Sequence, residues 1–230
     1  DNLPIGLFGN FYNHELSFFL VSNNDFKNLK KIFNKNNLNF KNVLLKKYIE
    51  GVELINQQKC ETFVYLKMNN KNSYLSLFEK SSFKYTEKFN FGTDIIFNDI
   101  NKVCNIEIDA IKKIFRDKTL NKELNQNDIL EEKYFIGKNF RKIKKQLIID
   151  IVNSRVEEIL NIFINKNINS TYLKKGIKTV FFSIEDGLIS ENFSKNFQNF
   201  LSSTQFNDIC LINNFIDEEL FNRAAFLITH

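Results

Sequence analysis

Few side chains in this sequence are equipped for chemistry, and their spacing narrows the options further. His14 and His230 stand near opposite ends of the chain, so the order of residues supports no Ser-His-Asp arrangement. Cys60, Cys104 and Cys210 are far apart and odd in number, with no Cys-x-x-Cys pair. With only two histidines they do not compose a zinc site, and buried free thiols in a reducing compartment are the expectation. The carboxylates Glu107 and Asp109, Glu157 and Glu158, and Asp217-Glu218-Glu219 fall on expected helices or caps, where solvation and capping account for them. Fixed positive charge is what remains. Lys67 and Lys71 flank an asparagine bend, Lys112 and Lys113 share a helical run, and Arg141, Lys142, Lys144 and Lys145 form a basic cluster. Such groups can hold an anion, either phosphate oxygens or an acidic surface.

The elements that must position these groups centre on Glu61 to Asp99. An apolar run, Thr62 to Met68, enters the polar bend Asn69-Asn70-Lys71-Asn72, and a second run spans Ser73 to Phe78. After Glu79-Lys80-Ser81-Ser82 a third run alternates, with Phe83, Tyr85, Glu87, Phe89 and Phe91 assigned to one face. Three such runs joined by short polar turns predict an antiparallel meander. Gly92-Thr93-Asp94 then predicts a helix start, with Thr93 or Asp94 as its cap.

Upstream, the pattern predicts a strand at His14–Ser22, a helix from Asn24 or Asp25 to about Asn36, a strand at Asn39–Tyr48 and a short helix at Glu50–Asn56. Downstream it predicts helices at Asp94–Val103 and from Ile106 to Arg116, and a loop over 117 to 135. A long helix follows at Lys138–Lys166, with Leu147, Ile148, Ile151, Val152, Val156, Ile159, Leu160 and Phe163 at helical spacing. Arg155 and Glu158 are placed to pair on its surface. Lys178–Ser183 is a buried strand, followed by a helix to about Phe200 and a closing helix capped by Asp217.

Composition agrees with a globular protein. Of 230 residues 43% are hydrophobic, which excludes disorder, and the net charge of +5 is interleaved with acids, which argues against a nucleic-acid surface. The 26 phenylalanines beside no tryptophan, with few glycines, point to an AT-rich coding sequence that erodes glycine-dependent motifs. No stretch of about 18 apolar residues is present. The first residue is Asp1, and the expectation is of a piece with an upstream part missing.

Strand, turn, strand, turn, strand and then Gly-x-Asp before Asn-Asp-Ile resembles the second lobe of the actin and heat-shock-chaperone ATPase fold. Within that superfamily FNFGTDIIFNDINKVC is most similar to the bacterial cell-division protein FtsA, as are PIGLFGNFYNHELSFFLVS and IVNSRVEEILNIF. The resemblance covers about residues 4 to 226 and implies an α+β, α/β chain. Its first part, residues 1–57, would be the small inserted αβ subdomain of that family, and 58–230 the second lobe with its mixed sheet, flanking helices and closing helix.

The family's second phosphate loop, an Asp followed by glycines and a threonine, aligns with Lys67, Asn69, Asn70, Lys71, Asn72 and Ser73. A lysine replaces the metal-holding carboxylate, and asparagines replace glycines whose missing side chains let amides approach phosphate. The resemblance therefore implies a degenerate ATP site without a catalytic residue or resident metal. ATP with Mg²⁺, where retained, would lie against Asn69, Asn70, Asn72, Ser73, Gly92, Thr93, Lys113 and Gly187, with Lys112 the alternative to Lys113. The family tethers FtsZ filaments to the inner face of the cell membrane at the division site and self-associates into filaments. The FtsZ C-terminal tail would meet residues 94 to 175 here, through Arg141, Lys142, Lys144 and Lys145, and the membrane would be met through a C-terminal helix outside this sequence. The alternatives are a PilM-type pilus-assembly scaffold, an actin-like protein that keeps its nucleotide, and a basic interaction domain with an accidental meander.

Overall fold

Two periodicities build the structure, the two-residue alternation of β-strands and the 3.6-residue repeat of helices that cover them. The computed structural model describes residues 6, 8–11, 18–40, 42–120, 125, 127–135, 139–167, 173 and 176–229. The chain divides into two units, Asp1–Leu45 and Lys46–His230.

In the first unit, helix α1 (Asn23–Lys35) starts where Ser22 accepts the Asp25 N–H at 3.5 Å. The Phe26 and Phe33 rings lie 5.3 and 5.2 Å from that of Phe40. The expected strand at His14–Ser22 falls partly outside the described residues, and 18–22 are irregular. A strand needs a partner for its backbone groups, and the described residues of this unit supply none. The strand expected at Asn39–Tyr48 is replaced by irregular backbone at 42–45 and by helix α2 (Lys46–Gln58), which opens the second unit. That helix buries Ile49, Glu50, Gly51, Glu53 and Leu54, so its helical period begins earlier than the apolar run suggests.

The meander forms as expected: β1 (Phe63–Met68), β2 (Ser73–Glu79) and β3 (Ser82–Phe89) pair antiparallel. Its third strand does not keep one face. Leu77 pairs with Tyr85 while Phe78 pairs with Phe83, so Lys84 is an extra residue in a bulge. The bulge turns Phe83 to the opposite side from Tyr85 and Phe89. Helices α3 (Asp94–Cys104) and α4 (Ile108–Arg116) follow, then one 3-10 turn at Glu132–Tyr134.

The long helix α5 (Lys145–Ile164) begins later than the pattern predicts. Leu130 N–H donates to Ile143 O and Lys145 N–H to Asp128 O, each at 2.8 Å, which holds the preceding residues extended. Its buried residues Ile148, Val152, Val156, Ile159, Leu160 and Phe163 keep the helical period, whereas Leu147 is exposed. Arg155 pairs with Glu158 at 2.6 Å as expected and also with Asp99 of α3. Strand β4 (Thr179–Ile184), helix α6 (Gly187–Ser202), strand β5 (Asp208–Leu211) and helix α7 (Asp217–Thr229) complete the chain. The four-residue β5 is absent from the sequence expectation. Asp217 bonds Lys46 at 2.9 Å instead of capping α7, and Glu219 accepts the Ile216 N–H at 3.2 Å.

The sheet runs β3-β2-β1-β4-β5, with β4 parallel to β1 and β5 parallel to β4. An antiparallel meander extended by parallel crossovers is the sheet of an actin-like lobe, here a partial actin-like fold of mixed α/β type. One face packs Val64, Leu66, Leu75, Leu77, Val180 and Phe182 beneath α3 to α6. The other packs Phe63, Tyr65, Phe78, Phe83 and Phe181 with Leu54 of α2. Gly51 lets α2 lie on the Phe78 ring, because a Cβ there would meet it at 1.9 Å. Cys104 is buried, Cys60 half-buried and Cys210 exposed, so the expected burial of all three thiols holds only for Cys104.

Candidate functional site

Alternation along β1 puts Lys67 on the face of Phe63 and Tyr65, pointing toward α2. There Glu50, fully buried, takes Lys67 Nζ at 2.8 Å on one oxygen and Lys47 Nζ at 2.9 Å on the other. Lys47 Nζ also lies 4.3 Å from the centre of the Tyr74 ring. Beside Lys67 in the parallel pairing stands Ser183, whose hydroxyl shares a 3.1 Å hydrogen bond with Tyr65 Oη. Burial pushes the Lys47 ammonium below its usual range, against the attraction of Glu50. Burial also pushes the Tyr65 phenol up, and the nearby Glu50 charge adds to it. One carboxylate and two ammonium groups thus share a nearly dry site, where removing Glu50 leaves both ammonium groups without a counter-charge, while removing either lysine leaves a balanced pair.

Three backbone pieces meet at the end of β1. The bend is closed by Asn69 N–H donating to Asn72 O at 2.9 Å, and by Asn69 Nδ2 donating to Asn72 Oδ1 at 3.0 Å. The start of α3 docks on it: Thr93 N–H donates to Asn69 O at 3.0 Å and Asp94 N–H to Asn70 O at 2.9 Å. Gly92 permits this approach, since a Cβ would come within 2.0 Å of Asn69 O. The buried Thr93 hydroxyl donates to Asn70 Oδ1 at 3.2 Å and does not cap α3. Ser73 is buried, and its hydroxyl donates to Phe91 O at 2.8 Å.

The third piece follows β4. Glu185 N–H donates to Met68 O at 2.8 Å, and the Glu185 carboxylate returns to accept the Asn70 N–H at 3.2 Å. Asp186 caps α6 by accepting the Ile189 N–H at 3.0 Å. Two carboxylates of the chain therefore occupy amide donors that a phosphate would need. Gly187 meets nothing within 4 Å of a notional Cβ, so no close approach requires that glycine.

Among the residues expected to hold nucleotide, Asn69, Asn70, Asn72, Ser73, Gly92 and Thr93 are brought together and bonded to one another or to main chain. Lys113 is exposed on α4. Its neighbour Lys112 lines a cleft of about 230 Å³ with Asp94, Phe97, Asn98 and Ile108. Small-molecule sites usually offer about 300–1,000 Å³. ATP and Mg²⁺ do not fit the donor set: an ammonium stands where the resemblance would place the metal's carboxylate, and Glu185 opposes an anion at the bend.

The basic cluster separates into two roles. Arg141 donates to Cys104 O at 2.7 Å and Asn105 O at 3.1 Å, closing the exposed carbonyls at the end of α3. Lys142 and Lys144 are exposed and Lys145 is half-buried at the start of α5. Nearby, Asn105, Ile106, Glu107, Asp109, Ala110, Tyr134 and Phe135 line a largely apolar cleft of about 290 Å³. Sequence reasoning did not find Glu50 or the amide contact of Glu185. The signal for the first was a glutamate inside the apolar run YIEGVELI.

No protein-family profile matches the sequence, and no curated protein matches it. Among solved structures, the chain is similar to a PilM–PilN type IV pilus biogenesis complex at 11% identity and a TM-score of 0.48, over 80% of this chain and 48% of that one. It is similar to MreB 5 of Spiroplasma citri bound to AMPPNP at 12% identity and 0.47, over 90% and 65%. It is also similar to the ethanolamine utilization protein EutJ of Carboxydothermus hydrogenoformans at 13% and 0.43, over 70% and 47%. The chain spans less than two thirds of each of these proteins. Likeness of this degree transfers neither ligand nor partner.

Proposed function

We propose that this chain is part of an actin-like scaffold of the cell-division type, related in role to FtsA, that works without ATP hydrolysis. The observation that carries the nucleotide half of this reading is Lys67, held by buried Glu50 where the superfamily places its metal carboxylate. Glu185 on the Asn70 amide supports it, because a phosphate would have to displace a carboxylate of the protein itself. An ion pair and internal carboxylates give the lobe a fixed charge pattern that no nucleotide needs to complete.

The division role and its place at the inner face of the cell membrane come from the resemblance of FNFGTDIIFNDINKVC and IVNSRVEEILNIF to FtsA. The partner is then the FtsZ C-terminal tail, with Lys142, Lys144 and Lys145 as its electrostatic contacts, while Arg141 serves α3. The test is a titration of the chain with a labelled FtsZ-tail peptide, with and without ATP. Binding should be indifferent to ATP and should weaken about tenfold or more when Lys142→Glu and Lys144→Glu are combined. Undiminished binding by that variant removes these lysines from the contact, and no binding at all removes the division reading.

A further inference from the structure

The described residues of the first unit invert the usual distribution of apolar side chains. More than half of the large apolar residues exposed among the described positions lie between Phe8 and Leu45, in under one fifth of the chain. Helix α1 is their organising element. Phe26, Leu29, Ile32 and Phe33 share one side of it, Lys27, Lys31 and Lys35 the other, and Lys30 borders the apolar side. No residue of α1 is buried. Phe40 shields Phe26 and Phe33 in part, while Leu29 and Ile32 stay outside, Ile32 at 58% exposure. Just ahead of the helix, Phe18 and Leu20 stand at 78% and 95%.

Charge selects among the occupants of such a face. Lys27, Lys30, Lys31 and Lys35 form no ion pair among the described residues, and Asp25 is the one acid on the helix. A second copy of the same face would bring like charges together. A surface both apolar and anionic matches it: the apolar side enters the boundary between headgroups and acyl chains, and the lysine stems reach back to the headgroups. Thirteen residues are too few to span a bilayer, for which about 20 are needed, so the helix would lie flat. No helix among the described residues is long and apolar enough to cross a membrane.

We infer that residues 18–40, built on α1, form a docking face for an anionic lipid surface. The face belongs to the first unit and does not depend on the proposed role of the second. The experiment is flotation of the whole chain with vesicles of phosphatidylcholine alone or mixed with phosphatidylglycerol, at low and high salt. The chain should float with the mixed vesicles, poorly with the neutral ones, and less as salt rises. Each lysine contributes about fivefold to partitioning, so Lys27→Glu with Lys31→Glu should lower it by more than about tenfold. Leu29→Gln with Ile32→Gln should lower it as well. All four positions are exposed or unburied, so circular dichroism of both variants should match the parent chain. Lys102→Glu with Lys195→Glu, exposed on the other unit, should leave flotation unchanged. Equal flotation with both vesicle types overturns the inference, as does an equal loss in that control. So does an α1-dependent dimer in sedimentation that leaves lipid unbound.

Discussion

The two faces of the central sheet are held by different physics. Beneath α3 to α6 the packed surface is mainly hydrocarbon and aromatic, from Val64 and Leu66 to Phe163 and Phe197. Beneath α2 an aromatic patch gives way, toward the end of β1, to Lys67, Glu50 and Lys47, with Glu53 of α2 paired to Arg223 of α7 at 2.6 Å beyond. Apolar burial stabilises roughly in proportion to area and tolerates substitution of similar volume. A buried ion cluster barely repays its desolvation and depends on the carboxylate that its cations share. The second face thus holds its helix in one position at little net gain in stability.

The largest effect expected on the ionic face is that of Glu50→Ala, which leaves two ammonium groups unpaired and should cost about 3–5 kcal/mol in urea denaturation. Phe163→Ala on the apolar face should cost a similar amount, about 3–5 kcal/mol, through its cavity. The two are told apart by repair. Replacing Lys47, Glu50 and Lys67 together by Met, Leu and Met should bring stability back to within about 1 kcal/mol of the parent, or above it. A triple variant as unstable as Glu50→Ala would show that hydrogen-bond geometry, and not charge balance, holds this face.

Glycine substitutions sharpen the same contrast at smaller scale. Gly51→Ala should destabilise by about 1–3 kcal/mol despite its gain in helix propensity, because the new Cβ strikes the Phe78 ring. Gly187→Ala, in open space at the start of α6, should be neutral or stabilising by up to about 1 kcal/mol. Thermal denaturation of both measures the difference, and equal shifts would contradict the packing of α2.

The pH dependence is the smallest effect. The unfolded chain keeps the Lys47 proton up to 10.5, while burial makes the folded state release it earlier. In that window the unfolded state binds more protons, so Lys47 makes stability rise with pH. Above about 10 the raised phenol of Tyr65 acts the other way, since the unfolded chain ionises first. The stability of the parent relative to Lys47→Met should rise steadily from neutral pH toward pH 10, read as the difference in denaturation midpoint. A flat difference would mean that Lys47 is not desolvated.

Much of this fold was legible because its central signal is local. The bends at Asn69–Asn72 and Glu79–Ser82 punctuate apolar runs of strand length, and the meander followed from them. What was hidden depends on partners distant in sequence. The Lys84 bulge turns Phe83 over, and alternation alone carries no sign of it. Strand β5 is four residues long and exists through its pairing with β4. The start of α5 is set by hydrogen bonds to residues 128–130. At the candidate site the residues were visible as types, a lysine and asparagines at the bend that the resemblance aligns with a phosphate loop. Their satisfaction by Glu50 and Glu185 was not, since those contacts join positions 17 and 115 residues apart.

Whether this lobe keeps its shape without nucleotide is decided by thermal denaturation of the chain with ATP or ADP, each with Mg²⁺ or with EDTA. A ligand specific to the folded state adds about 2.7 kcal/mol of stability at a hundred times its dissociation constant, so even weak binding raises the midpoint at high ligand concentration. One melting temperature is expected for all conditions. A Mg²⁺-dependent rise with ATP would contradict it, because nucleotide would then be held despite Lys67 and Glu185.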